Sequence, residues 1–338
     1  MAKRTLTSAW GRVVGRSIAA VTSQNMRAAR SVAVHKNPFL LQAKPRPAGQ
    51  GDWIAGVTIG GAGSRRYYLY RPSGIQPGER LPLVVMLHGC GQDARGFADS
   101  TRMNRVAERE RCLVLYPEQD RLANPQGCWN WYDTRSGRAI GEIQLVMNAI
   151  DQVCMLYSAD RNRVAVAGLS AGASLAALLA TRHPCHFKAI VMHSGIPPGT
   201  ANSPMSALAA MRGGPVGGTK PSPLAVRPAS DLAWPPLLVI HGESDRTVAA
   251  SNGLAAVQMW AQVAGATAQP TKSMTRGQRH AMAVTDFTSA TGTAATLVAV
   301  DQLGHAWSGG AASQPYGDAR GPDASRMTWA FAARQFRR

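Results

Sequence analysis

The stretch Val164-Ala165-Val166-Ala167-Gly168-Leu169-Ser170-Ala171-Gly172-Ala173-Ser174-Leu175 decides how this chain is read. A continuous apolar run ends in Gly-x-Ser-x-Gly, and a helix-forming run starts at once beyond it. Apolar residues in succession, without alternation, suit a strand buried on both faces. Passing from strand to helix within three residues requires a sharp turn, which holds its central residue in strained backbone. Gly168 and Gly172 stand where side chains would strike neighbouring elements. Ser170 is therefore expected above a sheet, at the positive end of the following helix. The five-residue pattern alone is weak; its strand–helix setting gives it weight.

Outward from this turn the same alternation recurs. Apolar runs occur at Leu83 to Leu87, Leu113 to Tyr116, Val164 to Ala167, Ala189 to Met192, Leu237 to Ile240 and Leu297 to Val300. Helical stretches are expected at about Gly141 to Tyr157, Ala171 to Arg182, Ala249 to Ala264 and Ala324 to Gln335. A further strand is expected at Arg66 to Tyr70, stopped by Pro72. Strands alternating with helices predict an α/β fold with a mainly parallel central sheet flanked by helices. Gly213 to Pro236, dense in Gly, Pro and Ser, reads as a plain surface loop rather than a cap over a site.

The 338 residues are 45% hydrophobic and 17% charged, which fits a globular chain with a sizeable core. No run of about 18 apolar residues occurs, so no membrane span is expected. The net charge is +18, from 37 basic and 19 acidic side chains. Half of that excess sits in residues 1–51, which hold nine basic side chains and no acid. Residues 1–50 read as a basic tail and linker, and 51–338 as the folded domain. The tail is expected to be solvated, with no nucleic-acid partner; attraction to nucleic acid or an anionic surface is the other reading of its charge. Arg12 and Arg16 interrupt the only apolar stretch near the start, so no secretory leader is expected there.

A serine hydroxyl is a poor nucleophile at neutral pH and needs a base, an orienting acid and an oxyanion hole. In the chain order of such hydrolases the acid follows the serine and the histidine comes last. Asp245 is the candidate acid, in a turn after Leu237-Leu238-Val239-Ile240-His241-Gly242, because α/β sheets place their sites at strand carboxyl ends. Its rivals are Glu243, Asp231 and Asp286. His305, in the glycine-rich stretch Gly304-His305-Ala306-Trp307-Ser308-Gly309-Gly310, is the candidate base. His88, His193 and His241 lie at strand ends and are expected to brace loops. His183 and His186 lie at a helix end. The oxyanion donors are expected to be the amides of Ala171, next after the serine, and of Cys90 in the turn Leu87-His88-Gly89-Cys90-Gly91. No metal or organic cofactor is expected. None of the five cysteines forms a Cys-x-x-Cys pair, and Cys112, Cys154 and Cys185 are expected to be free and buried.

Together these residues resemble the polyhydroxybutyrate depolymerase family of esterases, within the α/β-hydrolase superfamily. The resemblance is carried by Leu87-His88-Gly89-Cys90, Tyr116-Pro117-Glu118-Gln119, Gly127-Cys128-Trp129-Asn130-Trp131, the serine turn and the His305 stretch. It implies Ser170 as nucleophile, Asp245 as acid, His305 as base, and the amides of Cys90 and Ala171 as oxyanion donors. It also implies that Trp129, Trp131 and Trp307 line an acyl-binding surface, where indoles offer flat apolar area and an N–H donor; core packing is the other reading of Trp129 and Trp131. A disulfide between Cys90 and Cys128 is expected alongside it. Secreted members carry a leader and a polymer-adsorbing domain, and neither is expected within these residues; the family's extracellular setting is therefore weighed against a cytoplasmic one. The implied substrate is polyhydroxyalkanoate or its oligomers. Feruloyl and acetyl-xylan esterases share the scaffold and give the alternative substrate class. A non-catalytic binding protein with a nucleic-acid-engaging tail is the alternative of another kind.

Overall fold

The computed structural model describes residues 47, 49–213 and 233–337, all within one compact unit that begins at Pro47. The expected tail lies outside the described residues except for Pro47, Gly49 and Gln50, and so does most of the excursion at 213–236.

The six apolar runs become six parallel strands. In chain order they are β3 (Leu81–Leu87), β4 (Leu113–Pro117), β5 (Ala159–Leu169), β6 (Ala189–His193), β7 (Leu237–Gly242) and β11 (Gly292–Val300). They lie in the spatial order β4-β3-β5-β6-β7-β11. Every residue of β3 is buried, as is the last half of β5, because helices cover both faces of the sheet centre. The hairpin β1 (Asp52–Gly60) and β2 (Gly63–Arg71) extends one side through an antiparallel β2–β4 pair. On the other side β8 (Thr267–Ala268) and β9 (Lys272–Met274) pair with β10 (Met282–Ser289), which is antiparallel to β11. The two-residue strands β12 (Trp307–Ser308) and β13 (Gly317–Asp318) form a separate pair.

The helices are α1 (Ala94–Thr101), α2 (Met103–Glu110), α3 (Arg138–Leu156), α4 (Ala171–Arg182), α5 (Pro204–Met211), α6 (Ser251–Ala264) and α7 (Ala324–Phe336). Helix α4 is buried from Ala171 through Thr181. Its alanines favour helix and leave room for neighbours on every side, as a helix inside a core requires. β3 sits between β4 and β5, so the connections that leave β3 and β5 diverge. A crevice at the carboxyl ends of such strands is where open α/β sheets hold their sites.

One expectation about the cysteines is corrected. Cys112 is buried, but Cys154 is half-buried and Cys185 is exposed. Cys185 falls in a short 3-10 turn, Pro184–His186, outside the layers that bury Cys112.

Candidate active site

The turn between β5 and α4 has the strain its sequence demands. Ser170 has φ 56° and ψ −121°, a positive φ that few side-chain-bearing residues adopt. Its amide donates to the His193 carbonyl at 2.9 Å, and its carbonyl accepts from the Ser174 amide at 3.1 Å. A Cβ on Gly168 would lie 2.4 Å from the Gly172 carbonyl, and one on Gly172 would lie 2.1 Å from the Leu87 carbonyl oxygen. Only glycine permits these backbone contacts.

Asp245 and His305 meet as expected, from the loops after β7 and β11. His305 Nδ1 donates to Asp245 Oδ2 at 2.7 Å. The other carboxylate oxygen accepts from the amides of Thr247 at 2.9 Å and Val248 at 2.8 Å, which fixes the acid's orientation. Burial pushes the Asp245 carboxyl up. The hydrogen bond and charge of His305, with the Val248 amide and His241, outweigh it and hold the carboxyl below its ordinary range. Asp245 is thus ionised at neutral pH and can only accept, so His305 Nδ1 is the donor in this contact. Among the described residues, neither His305 Nε2 nor the Ser170 hydroxyl has a hydrogen-bond partner. Such contacts are often loose in free enzymes and tighten on the substrate.

His193, the last residue of β6, joins the two halves of the site. Its carbonyl holds Ser170, and its Nε2 accepts from the Ser308 amide at 3.0 Å, three residues past His305. Burial, then the nearby charges of His241 and His305, push its pKa down to about 3. His193 therefore stays neutral and acts as a brace. His241 is also a brace: its Nε2 donates to the Val248 carbonyl at 2.9 Å, behind Asp245. His88 donates from Nδ1 to the Gly89 carbonyl at 2.8 Å and accepts the Gln119 amide on Nε2 at 3.0 Å. Burial takes its pKa down to about 4.

The turn after β3 lies beside the serine: a Cβ on Gly89 would come 3.5 Å from Ser170 Cβ. Within that turn the Gly89 amide is taken by Gln92 Oε1 at 2.9 Å, and the Gly91 amide by the Gln126 carbonyl at 2.9 Å. The amides of Cys90 and Ala171 have no acceptor among the described residues. Cys90 is joined to Cys128 by a disulfide, Cα to Cα 4.2 Å.

Behind the disulfide lies a polar knot that sequence reasoning missed. Glu142 of α3, 1% exposed, accepts from Gln119 Nε2 at 2.6 Å, the Asn130 amide at 2.8 Å and Asn130 Nδ2 at 2.6 Å. Arg65 of β2, also buried, stands 3.7 Å away. Gln119 Nε2 in addition donates to the Cys128 carbonyl at 2.9 Å. Burial raises the Glu142 pKa against these partners. A sequence signal existed: Glu142 shares a helix face with Ala139, Ile143 and Val146, a carboxylate on an apolar stripe.

The three tryptophans lie largely within the domain. Trp129 and Trp307 are 0% exposed and Trp131 is 7% exposed. Trp307 stacks on His193 with ring centroids 5.0 Å apart and donates from Nε1 to Ser325 Oγ at 3.0 Å. Trp129 packs on His88, and its Nε1 has no partner. Trp131 meets Tyr132 edge to face. Trp129 and Trp307 support the loops of the site from within and offer no ring face to a polymer. Among the described residues no cluster of three metal-ligating side chains occurs, and no helix is long and apolar enough to cross a membrane.

A mainly parallel sheet of this order, a strained serine after β5 and an Asp–His pair after β7 and β11 define an α/β-hydrolase fold. The chain belongs to the esterase PHB depolymerase family, whose model matches residues 65–279. It is 30% identical over 226 residues to poly(3-hydroxyalkanoate) depolymerase C of Paucimonas lemoignei, covering 64% of this chain and 52% of that protein. It is 26% identical over 272 residues to poly(3-hydroxybutyrate) depolymerase of Ralstonia pickettii, covering 77% and 55%. Acetylxylan esterase A of Emericella nidulans is 24% identical over 209 residues, covering 59% and 67%. The chain thus spans about half the length of the two depolymerases. Among solved structures, an acetyl xylan esterase from Aspergillus awamori superposes with TM-score 0.62 at 18% identity, over 83% of this chain and 100% of that one, a likeness of fold.

Proposed function

We propose that this chain is a serine carboxylic ester hydrolase that cleaves polyhydroxyalkanoate, such as polyhydroxybutyrate, or its oligomers through an acyl-enzyme. The observation that carries the reading is the 2.7 Å contact of His305 Nδ1 with an Asp245 carboxylate whose other oxygen is held by two amides. That pairing orients the His305 imidazole, on a loop tied through His193 to the strained Ser170. In this reading Nε2 takes the Ser170 proton as the hydroxyl oxygen attacks the ester carbonyl. Asp245 stabilises the imidazolium without taking its proton. The amides of Cys90 and Ala171 hold the oxyanion, and the positive end of α4 points the same way. His305 then gives its proton to the departing alcohol and activates water to release the acid.

The polyester substrate is favoured by the two depolymerases among the relatives. An acetylated or feruloylated carbohydrate is the second reading, favoured by the likeness to acetylxylan esterases in sequence and fold. Turnover of a short-chain nitrophenyl ester by the wild type and by Ser170→Ala tests the chemistry; the variant is expected to lose at least about a thousandfold. Equal rates would remove the catalytic assignment and leave a binding protein. A panel of hydroxybutyrate oligomers, acetylated xylan and feruloyl esters then separates the two substrate readings by kcat/KM.

A further inference from the structure

A slot of about 680 Å³ opens on the sheet face covered by α2 and α7. It shares no residue with the candidate active site. Its floor is mostly apolar: Leu238 of β7, Val298 of β11, and Met282 and Val284 of β10, with Thr296 of β11 the one polar strand residue in the lining. Its walls add Val106 of α2 and Phe331 of α7. The volume lies in the range of ordinary small-ligand sites.

The rim has a different character. Seven arginines line the slot and one acid, Asp323. Arg105 and Arg109 are spaced i, i+4 along α2, and Arg326 and Arg334 lie two turns apart along one face of α7. Arg276 and Arg279 come from the segment between β9 and β10. Arg109 pairs with Glu110 at 2.7 Å and Arg326 with Asp323 at 3.6 Å. Arg279 donates to the Gly321 carbonyl. Arg105 and Arg276 have no carboxylate partner among the described residues. Even with Glu110 counted, and Asp286, which accepts from Thr296 in the lining at 2.6 Å, four positive charges stand uncompensated round a mostly apolar floor.

That combination selects its ligand. An inorganic anion would leave the floor unused, and a neutral alkyl chain would leave the guanidinium groups unused. A nucleic acid would want stacking surfaces, and Phe331 is the sole aromatic in the lining. We propose that the slot binds a free anionic amphiphile with one aliphatic chain, its carboxylate held by Arg105 and Arg276 and its chain lying on the β7–β11–β10 floor. Guanidinium groups hold carboxylates through paired, charge-assisted hydrogen bonds. The proposal stands whether or not Ser170 is the nucleophile.

Titration calorimetry on the full chain, with decanoate as probe, tests it. One decanoate is expected to bind per chain, and decanol or phosphate alone to bind at least about tenfold more weakly. Arg105→Ala/Arg276→Ala is expected to weaken decanoate at least about tenfold, while ester turnover stays at the wild-type level. Val298→Trp, which fills the floor, is a second variant with the same expected loss. Decanoate binding that survives both variants would place the ligand elsewhere, as in the active site, and overturn the proposal. Equal binding of decanol or of phosphate would also overturn it. So would the absence of decanoate binding, with a single-stranded oligonucleotide binding instead in a manner sensitive to Arg105 and Arg276.

Discussion

The Ser308 amide donates to Nε2 of His193 across 3.0 Å, and the same histidine's carbonyl holds the Ser170 amide. The brace works only while Nε2 is unprotonated, since an imidazolium has no acceptor. Burial secures that state, with the His193 pKa down to about 3 and that of His88 down to about 4.

An acid-stability prediction follows from the sign of these shifts. Both histidines titrate lower folded than unfolded, where the ordinary value is about 6.5. As pH falls below about 6.5 the unfolded chain takes up protons that the native state refuses. Stability is full above that pH and declines towards the folded values, by at most about 1.4 kcal/mol per pH unit for each histidine. Asp245 adds to the loss lower down, because its depressed carboxyl stabilises the fold above the ordinary carboxylate pKa and less as pH drops through its own. Urea unfolding at pH 7, 5.5 and 4.5 measures the slope. His193→Gln keeps an acceptor for Ser308 and is expected to flatten it by about one proton; an unchanged slope would remove His193 from this account.

Asp245→Asn tests the acid separately from the fold. The Asn carbonyl can still accept from Thr247 and Val248, but its amide then faces His305 Nδ1 as a second donor. The imidazole loses its tautomer or its orientation. A fall in kcat of about 10³–10⁴ is expected, with KM little changed. A loss below tenfold in steady-state kinetics would mean that another acid serves His305.

The disulfide and the knot behind it should act on the turn that carries the proposed oxyanion donor Cys90. Cys90 and Cys128 are 38 residues apart, and closing such a loop stabilises by about 4 kcal/mol in the chain-entropy account. Cys90→Ala/Cys128→Ala is expected to lower the melting temperature. It should also lower kcat about 10²-fold, more than it changes KM, because the Cys90 amide loses its fixed place. Glu142→Ala removes the acceptor of Gln119 and Asn130 and leaves Arg65 buried without a carboxylate, at a cost of about 3–5 kcal/mol. Thermal melts with parallel kinetics check both. A kcat equal to wild type in the cysteine variant would free the oxyanion turn from the disulfide.

Much of this was legible in the sequence, for physical reasons that differ by element. β3, the second half of β5 and the start of β7 announce themselves because burial on both faces disfavours polar residues, and α4 because its helix starts directly after Ser170. The Asp245–His305 pair was legible because functional side chains sit just beyond strand ends. β1 was not, since Asp52–Gly60 mixes glycine and polar residues on an edge that is partly exposed. β10 alternates weakly, and α1 and α2 are only eight residues each. The direction of the tryptophans was not legible, because residue type does not say which way a ring faces; Trp307 turns inward to His193 and Ser325. The Glu142 knot depends on four elements distant in sequence, so no local pattern gathers it.

The two glycines of the serine turn give the strictest test of the local geometry. A methyl on Gly172 would lie 2.1 Å from the Leu87 carbonyl oxygen and 2.5 Å from that of His88. Both are backbone atoms of β3 and its turn, so neither yields by a rotamer change. α4 would have to move off the sheet, carrying the Ala171 amide and Ser170 with it. Gly172→Ala is expected to cost at least about 3 kcal/mol by overpacking and to lower ester turnover by more than the loss of folded protein accounts for. Gly61, in the β1–β2 turn, has nothing within 4 Å of its would-be Cβ. Gly61→Ala is the matched control, expected within about 0.5 kcal/mol of wild type. Calorimetric melts of the two variants side by side decide the matter: if Gly172→Ala melts with Gly61→Ala, α4 does not press on β3 as closely as the turn requires, and the placement of Ser170 over the sheet loses its support.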